Sequence, residues 1–97
     1  MYSPEELQSL HQFLKSTGEG NLKNMLCGGK MTEVHLRVLL KVARNSKPEE
    51  FSQHWEAATF PKVKFAPAES ALKETCYPVF AEACSKVGLL TAAKKAA

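Results

Sequence analysis

Aspartate is absent from the chain, whose ten acidic residues are all glutamates. EF-hand calcium loops use aspartate at their first ligand positions, and aspartate-dependent triads and phosphotransfer sites need it for catalysis. Long apolar runs are absent too, because no stretch approaches the roughly eighteen consecutive apolar residues that a membrane-spanning helix requires. The composition therefore argues against these calcium-binding and catalytic sites and predicts no membrane partner.

Cysteine is scarce, and the three residues Cys27, Cys76 and Cys84 are widely spaced. An odd number at such spacings is a poor disulfide framework and is typical of a reducing compartment. The N-terminal segment carries Glu5 and Glu6 where a secretory signal has positive charge, and no apolar segment follows them. We therefore expect an intracellular, cytoplasmic protein with free thiols.

The other bulk properties are those of one small globular domain. The chain has 97 residues, of which 44% are hydrophobic and 24% are charged. We expect a single helical domain over residues 1–97, with a frayed tail over about 91–97. The net charge of +3 permits contact with nucleic acid or with an acidic partner, but it is below the basicity of dedicated nucleic-acid-binding domains.

Capping signals divide the first part of the chain into helices. Ser3 is a typical N-cap, and Glu6 three residues later completes a capping box that predicts a first helix to about Ser16. Gly18 is placed to end this helix in a left-handed conformation. The following segment, 21–27, has the apolar spacing of one or two helical turns.

A second long helix is predicted from its N-cap Thr32 to about Arg44, where Asn45 stops it. Its apolar residues cover more than half of the helix circumference at about 100° per residue, so we expect it to be the central element of the core. Four charged residues share the remaining narrow strip: Glu33, Arg37, Lys41 and Arg44.

The next part of the chain carries a further capping signal and a segment of alternating polarity. Ser46 is predicted to cap a helix that runs to about Thr59. Residues 61–66 alternate polar and apolar side chains and predict an extended connector that places Val63 and Phe65 on the core.

Pro67 begins the last predicted helix, and Gly88 ends it. The apolar stripe of this segment continues across Pro78, which predicts one kinked helix. The alternative is two helices broken just before Pro78, because proline removes a backbone donor and crowds the preceding turn. The patterns together predict an all-α fold, a compact bundle of four to five helices with a short extended connector around residues 61–66.

Catalytic and metal-ligating groups are sparse. The three histidines, His11, His35 and His54, lie on three different predicted helices and no Cys-x-x-Cys pair occurs, so no metal site and no cofactor are predicted. Cys27 precedes a Gly-Gly-Lys turn that ends at Lys30, an electropositive setting that favours a lowered thiol pKa. No general base can be assigned to this nucleophile candidate, so we expect a buried or idle thiol and no enzyme.

The cations Arg37, Lys41 and Arg44 recur at four- and three-residue intervals and project from one side of the second long helix. Segment 21–44 has the outline of a helix-turn-helix, whose second helix enters a DNA groove. Against this, valines occupy positions where a base-reading helix carries polar side chains. The alternative is a solvated helix edge in which Glu33 pairs with Arg37 one turn later.

Aromatic residues cluster around the predicted connector, and we expect Trp55 and its neighbours to pack in the core. If part of this group is exposed, Trp55 is an interface anchor with Lys62 and Lys64 as a cationic rim.

These observations favour a non-enzymatic helical binding or assembly module that docks to a partner protein through a helix face. The residues that we expect to contact the partner are Arg37, Lys41, Arg44, Trp55, Lys62 and Lys64. The alternative is a small nucleic-acid-binding regulator that uses segment 21–44. No small-molecule substrate is inferred.

Overall fold

The residues that the structure describes, 2–58, 63–73 and 76–90 of this computed structural model, form six helices and no strand. In chain order the helices are α1 (Pro4–Ser16), α2 (Glu19–Leu26), α3 (Glu33–Arg44), α4 (Pro48–Ala57), α5 (Pro67–Ser70) and α6 (Tyr77–Lys86). The prediction of an all-α bundle is confirmed. Within the described ranges, no helix is both long enough and apolar enough to cross a bilayer.

Helix α1 begins as the sequence predicts. Ser3 Oγ accepts a hydrogen bond from the Glu6 N–H at 3.1 Å, and the Glu6 carboxylate accepts one from the Ser3 N–H at 3.4 Å. The predicted capping box and the end at Ser16 are confirmed. The prediction of a left-handed Gly18 is wrong, because the chain leaves α1 through the extended Thr17 and Gly18, with φ −63°, is the N-cap of α2.

Helices α2 and α3 are joined by residues 27–32. Helix α2 begins two residues before the predicted segment 21–27 and ends one residue before its end. Helix α3 is capped by Thr32 and followed by Asn45, as predicted. Segment 21–44 therefore contains two consecutive helices, but their connection is longer than the three- or four-residue turn that is typical of a helix-turn-helix.

The start of α4 differs from the prediction. Its N-cap is Lys47, whose backbone N–H donates to the Glu50 carboxylate at 3.0 Å. The prediction that Ser46 caps this helix is wrong. Its side chain is buried at the end of α3, and its hydroxyl donates to the Val42 carbonyl at 2.6 Å. A buried hydroxyl needs a hydrogen-bond partner, and the preceding helix supplies one.

The connector after α4 is described only in part, because residues 59–62 lie outside the described ranges together with the predicted end of the helix. Residues 63–66 form neither helix nor strand. Phe65 packs against the core and Val63 is half-buried, as the alternating pattern predicts.

The predicted single kinked helix after Pro67 is wrong, and the alternative of two helices is confirmed. Helix α5 consists of one turn that ends at Ser70, and α6 begins at Tyr77 with Pro78 in its first turn. Proline is tolerated there because the first residues of a helix have no intrahelical acceptor for their N–H groups. The apolar stripe could not distinguish the two arrangements, since both place it on the core.

Gly88 ends α6 as predicted, with a left-handed φ of 84°. Its N–H donates to the Ser85 carbonyl at 3.0 Å, and the Leu89 N–H donates to the Cys84 carbonyl at 2.9 Å. These two bonds form a Schellman motif, which needs a positive φ at the glycine. The predicted frayed tail, 91–97, lies outside the described residues.

Helix α3 is central, as predicted, and contacts α1, α2 and α5, while α1 also packs along α4. The buried residues of α3 are Leu36, Val38, Leu39, Leu40, Val42 and Ala43. Val34 is only half-buried, because it lies in the first turn, at the edge of the core. Since the other helices cover most of the circumference of α3, the charged strip is the part of this helix that faces solvent.

A continuous aromatic cluster joins α1, α4 and α6. Its members among the described residues include His11, Phe51, Trp55, Tyr77 and Phe80. Neighbouring ring centroids in this cluster are 5.2 to 6.3 Å apart, within the range of favourable aromatic contacts. Trp55 is only 8% exposed, so the structure favours core packing over an exposed anchor.

Candidate functional site

The charged strip of α3 lies on the outer side of the bundle, between α2 and α5. Arg37 and Arg44 are exposed and Lys41 is half-buried, so the three predicted cations share one surface. We call this surface the α3 face. It comprises the strip residues Glu33, Arg37, Lys41 and Arg44 with Glu19 and Lys23 of α2 and Glu69 of α5.

Two ion pairs within the α3 face join helix α3 to α2. Lys23 Nζ lies 2.5 Å from Glu33 Oε1, and Arg44 Nη1 lies 3.9 Å from Glu19 Oε1. The hydrogen bond from Lys23 lowers the pKa of the Glu33 carboxyl, and the same bond raises the pKa of Lys23. The predicted pairing of Glu33 with Arg37 is therefore wrong, because α2 brings a closer cation.

A third pair joins helix α3 to α5. Lys41 Nζ lies 2.6 Å from Glu69 Oε1, which also accepts the Ala66 N–H at 2.9 Å. These two bonds, that of Lys41 first, lower the pKa of the Glu69 carboxyl. The side chain of Glu69 is nearly buried, and the Lys41 ammonium lies 5.9 Å from the centre of the Phe65 ring. Sequence reasoning missed Glu69, because 28 residues separate it from Lys41.

Arg37 occupies the middle of the face. In the described part of the chain its guanidinium forms no ion pair within 4 Å. Its charge nevertheless acts on the carboxylates of Glu33 and Glu69. After Lys23 and Lys41, which act most strongly, Arg37 also contributes to the lowered pKa values of Glu33 and Glu69. Positive and negative groups consequently alternate along the surface, and Arg37 is its most available cation.

A small pocket of about 50 Å³ adjoins Arg37. Its lining residues are Glu19, Lys23, Glu33, Leu36 and Arg37. Leu36 is buried and the others are exposed, so the pocket has an apolar floor and charged walls. It is the size of a single small side chain or water cluster, far below the roughly 300 Å³ of an ordinary small-molecule site.

The remaining predicted contact residues do not join the α3 face. Trp55 belongs to the aromatic cluster, Lys62 lies outside the described residues, and Lys64 is exposed in the connector next to Phe65. The predicted anchor with its cationic rim therefore has no exposed tryptophan at its centre.

The predicted electropositive setting of Cys27 is wrong. Partial burial raises the pKa of its thiol, and the Glu33 charge raises it further against the opposing Lys23. Lys30 is directed to Glu82 on α6, at 3.8 Å. A raised pKa leaves less of this thiol as thiolate, the reactive form, at neutral pH.

The other two cysteines, Cys76 and Cys84, are buried in the core and pack as small hydrophobic residues. Burial raises the pKa of Cys76 to about 11 and that of Cys84 to about 12. Cys76 Sγ also donates to the Leu72 carbonyl at 2.6 Å.

The histidines take separate positions. His11 is buried, and its Nε2 donates to the Ser46 carbonyl at 2.8 Å, which joins α1 to the end of α3. It also lines a groove of about 460 Å³ beside Pro48. His35 lies at the start of α3 and His54 in the last turn of α4. Across the described ranges, no three histidine, cysteine or glutamate side chains group in a way that could hold a metal ion.

Comparison with family models, with curated proteins and with solved structures finds no significant match for this chain. The chemistry of the α3 face is therefore the basis on which a function can be proposed.

Proposed function

We propose that this protein is a non-enzymatic helical binding module that docks to a partner protein through the α3 face. The observation that supports this proposal is the alternation of charge on the surface, where the exposed Arg37 lies on the same strip as the exposed Lys23–Glu33 and Arg44–Glu19 pairs. A complementary surface carries one carboxylate flanked by cations or hydrogen-bond donors. Protein surfaces offer such mixed patterns, whereas a nucleic-acid backbone offers only anions.

Arginine suits the central position for physical reasons. Its planar guanidinium presents several N–H donors in a fixed fork and binds a carboxylate through two parallel hydrogen bonds. Arginine is also enriched among the residues that dominate protein interfaces. The surrounding pairs, such as Lys23 with Glu33, are exposed and contribute little to stability, so a partner can exchange them at low cost.

A small nucleic-acid-binding regulator is the second candidate. The three cations on one side of α3 and the two consecutive helices in segment 21–44 favour it. Glu33 and Glu19 count against it, because each places an exposed negative charge beside these cations, where it would repel a phosphate backbone.

Charge reversal separates the candidates. The full-length protein is immobilised and used to capture partners from nuclease-treated and untreated lysate, and each captured protein is then titrated in purified form. Under the first proposal, Arg37→Glu lowers the affinity at least about tenfold, the loss expected for a central interface arginine. The control Lys15→Glu, which makes the same charge change on exposed α1, leaves it unchanged.

The second candidate makes a different prediction. A duplex or single-stranded oligonucleotide should bind with an affinity that falls steeply with salt, and the triple change of Arg37, Lys41 and Arg44 to alanine should abolish it. Loss of all captured proteins after nuclease treatment, or retention of them by Arg37→Glu, contradicts the first proposal. Absence of oligonucleotide binding at low salt contradicts the second.

A further inference from the structure

The N-terminal cap of α3 has an unusual composition. His35 occupies the third helical position, where a capping box ordinarily has glutamate or glutamine. The Thr32 N–H donates to His35 Nδ1 at 3.2 Å, and the His35 N–H donates to Thr32 Oγ1 at 3.3 Å. The two residues thus satisfy two backbone donors reciprocally, and one of the two acceptors is an imidazole nitrogen that protonation would convert into a donor.

The cap requires the neutral ring. A backbone N–H can only donate, so Nδ1 must offer a lone pair, which leaves the ring hydrogen on Nε2. A protonated imidazole donates from both nitrogens and cannot accept the Thr32 N–H. It also places a positive charge at a helix N-terminus, where the helix dipole disfavours cations.

We propose that protonation of His35 opens the Thr32–His35 capping box, so that the first turn of α3 is a pH-sensitive element of the fold. The stabilisation from the box is present while the ring is neutral and is lost as the pH falls and the ring takes up a proton. The hydroxyl of Thr32, 3.2 Å from Nδ1, can accept from the protonated ring and keep it nearby. It cannot replace the acceptor that the Thr32 N–H has lost.

The charged groups at this corner are already engaged with one another. From α3, Glu33 pairs with Lys23 of α2 at 2.5 Å, and from the connection, Lys30 lies 3.8 Å from Glu82 of α6. The Cys27 thiol is also near, with its pKa raised by burial and by Glu33. The acceptor of the Thr32 N–H is His35 Nδ1, so the opening depends on protonation of that ring itself.

The opening affects the α3 face without depending on the proposed function. The first turn carries Glu33, and Arg37 lies one turn further along the same strip. Acidification therefore loosens the end of the face that α2 joins through Lys23. The test of the switch needs no partner, so its failure and the failure of docking are separable.

Residue-specific NMR tests the proposal on the full-length protein. The ring nitrogen shifts of His35 report its protonation between about pH 8 and about pH 5, the interval in which histidines titrate. The Cα shifts of residues 33–35 report the first helical turn over the same interval. We expect them to lose helical character with the His35 midpoint, as the equilibrium constant for closing the turn falls about fivefold, a typical effect of losing a capping hydrogen bond.

Two variants serve as controls. His35→Gln keeps a side-chain acceptor that does not titrate, so its first turn should stay closed across the interval. His54→Gln removes a histidine from α4, away from the cap, and should behave like the wild type. Constant Cα shifts through the His35 titration, or an equal loss of helix in His35→Gln, overturn the proposal.

Discussion

Glu69→Gln should destabilise the protein by about 1–2 kcal/mol, because it removes the charge that holds α5 on α3. A hydrogen bond to a charged group contributes about 1.5–3 kcal/mol. Part of this is recovered, since the Lys41 side chain is 38% exposed and regains hydration when its partner is neutral. The glutamine oxygen can still accept the Ala66 N–H, which is 2.9 Å from Glu69 Oε1.

Lys41→Met should cost more, about 2–4 kcal/mol, because it leaves the Glu69 carboxylate nearly buried without a cation. The double variant should be less destabilised than the sum of the two single variants. The expected coupling energy is about 1–2 kcal/mol, as for residues in direct contact. Glu82→Gln is the matched control, since Glu82 is exposed and its pairs are 3.8 and 3.7 Å long, and it should stay within about 0.5 kcal/mol of the wild type.

Urea unfolding provides the free energies. Trp55 is the single tryptophan and is 8% exposed, so its fluorescence reports loss of the core. An unchanged urea midpoint for Glu69→Gln at pH 7, with an unchanged slope, would show that the Glu69 charge does not stabilise the fold.

The pH dependence gives a second readout with a defined sign. The folded-state pKa of Glu69 is lowered, first by Lys41 and then by the Ala66 N–H. Its stabilisation is therefore fully present above the unfolded glutamate pKa of about 4.3 and is lost as the pH falls through the lower folded value. The stability difference between the wild type and Glu69→Gln should be constant from pH 8 to about pH 5. Below about pH 4 it should decrease towards zero as the Glu69 carboxyl of the folded protein becomes protonated.

Two further predictions concern the backbone and the thiols. Gly88→Ala should destabilise the protein by about 1 kcal/mol, because a Cβ is strained at φ 84° and the Schellman motif needs that conformation; urea unfolding measures it, and an unchanged midpoint contradicts it. Cys27 should alkylate more slowly than free cysteine at pH 7, because burial and Glu33 raise its thiol pKa; mass spectrometry after iodoacetamide treatment measures the rate, and faster alkylation contradicts the assignment.

Local signals in the sequence were sufficient where the deciding interactions span a few residues. The capping boxes at Ser3 and Thr32 use partners three residues away, so both helix starts could be predicted. Gly88 could be predicted for the same reason. Ser46 shows the limit of this reasoning, since a residue that looks like a cap is buried by the tertiary fold and bonds backwards to Val42.

The sequence by itself determined that the chain is helical, that α3 is central and that three cations share its outer side, because the 3.6-residue period of a helix fixes which side chains lie together. Only the tertiary structure decided the partners of those cations. Helix α2 supplies Glu19, and α5 supplies Glu69 from 28 residues away. Such pairs depend on how the helices pack. Packing places carboxylates beside the three cations, so the α3 face carries alternating charge and not only positive charge.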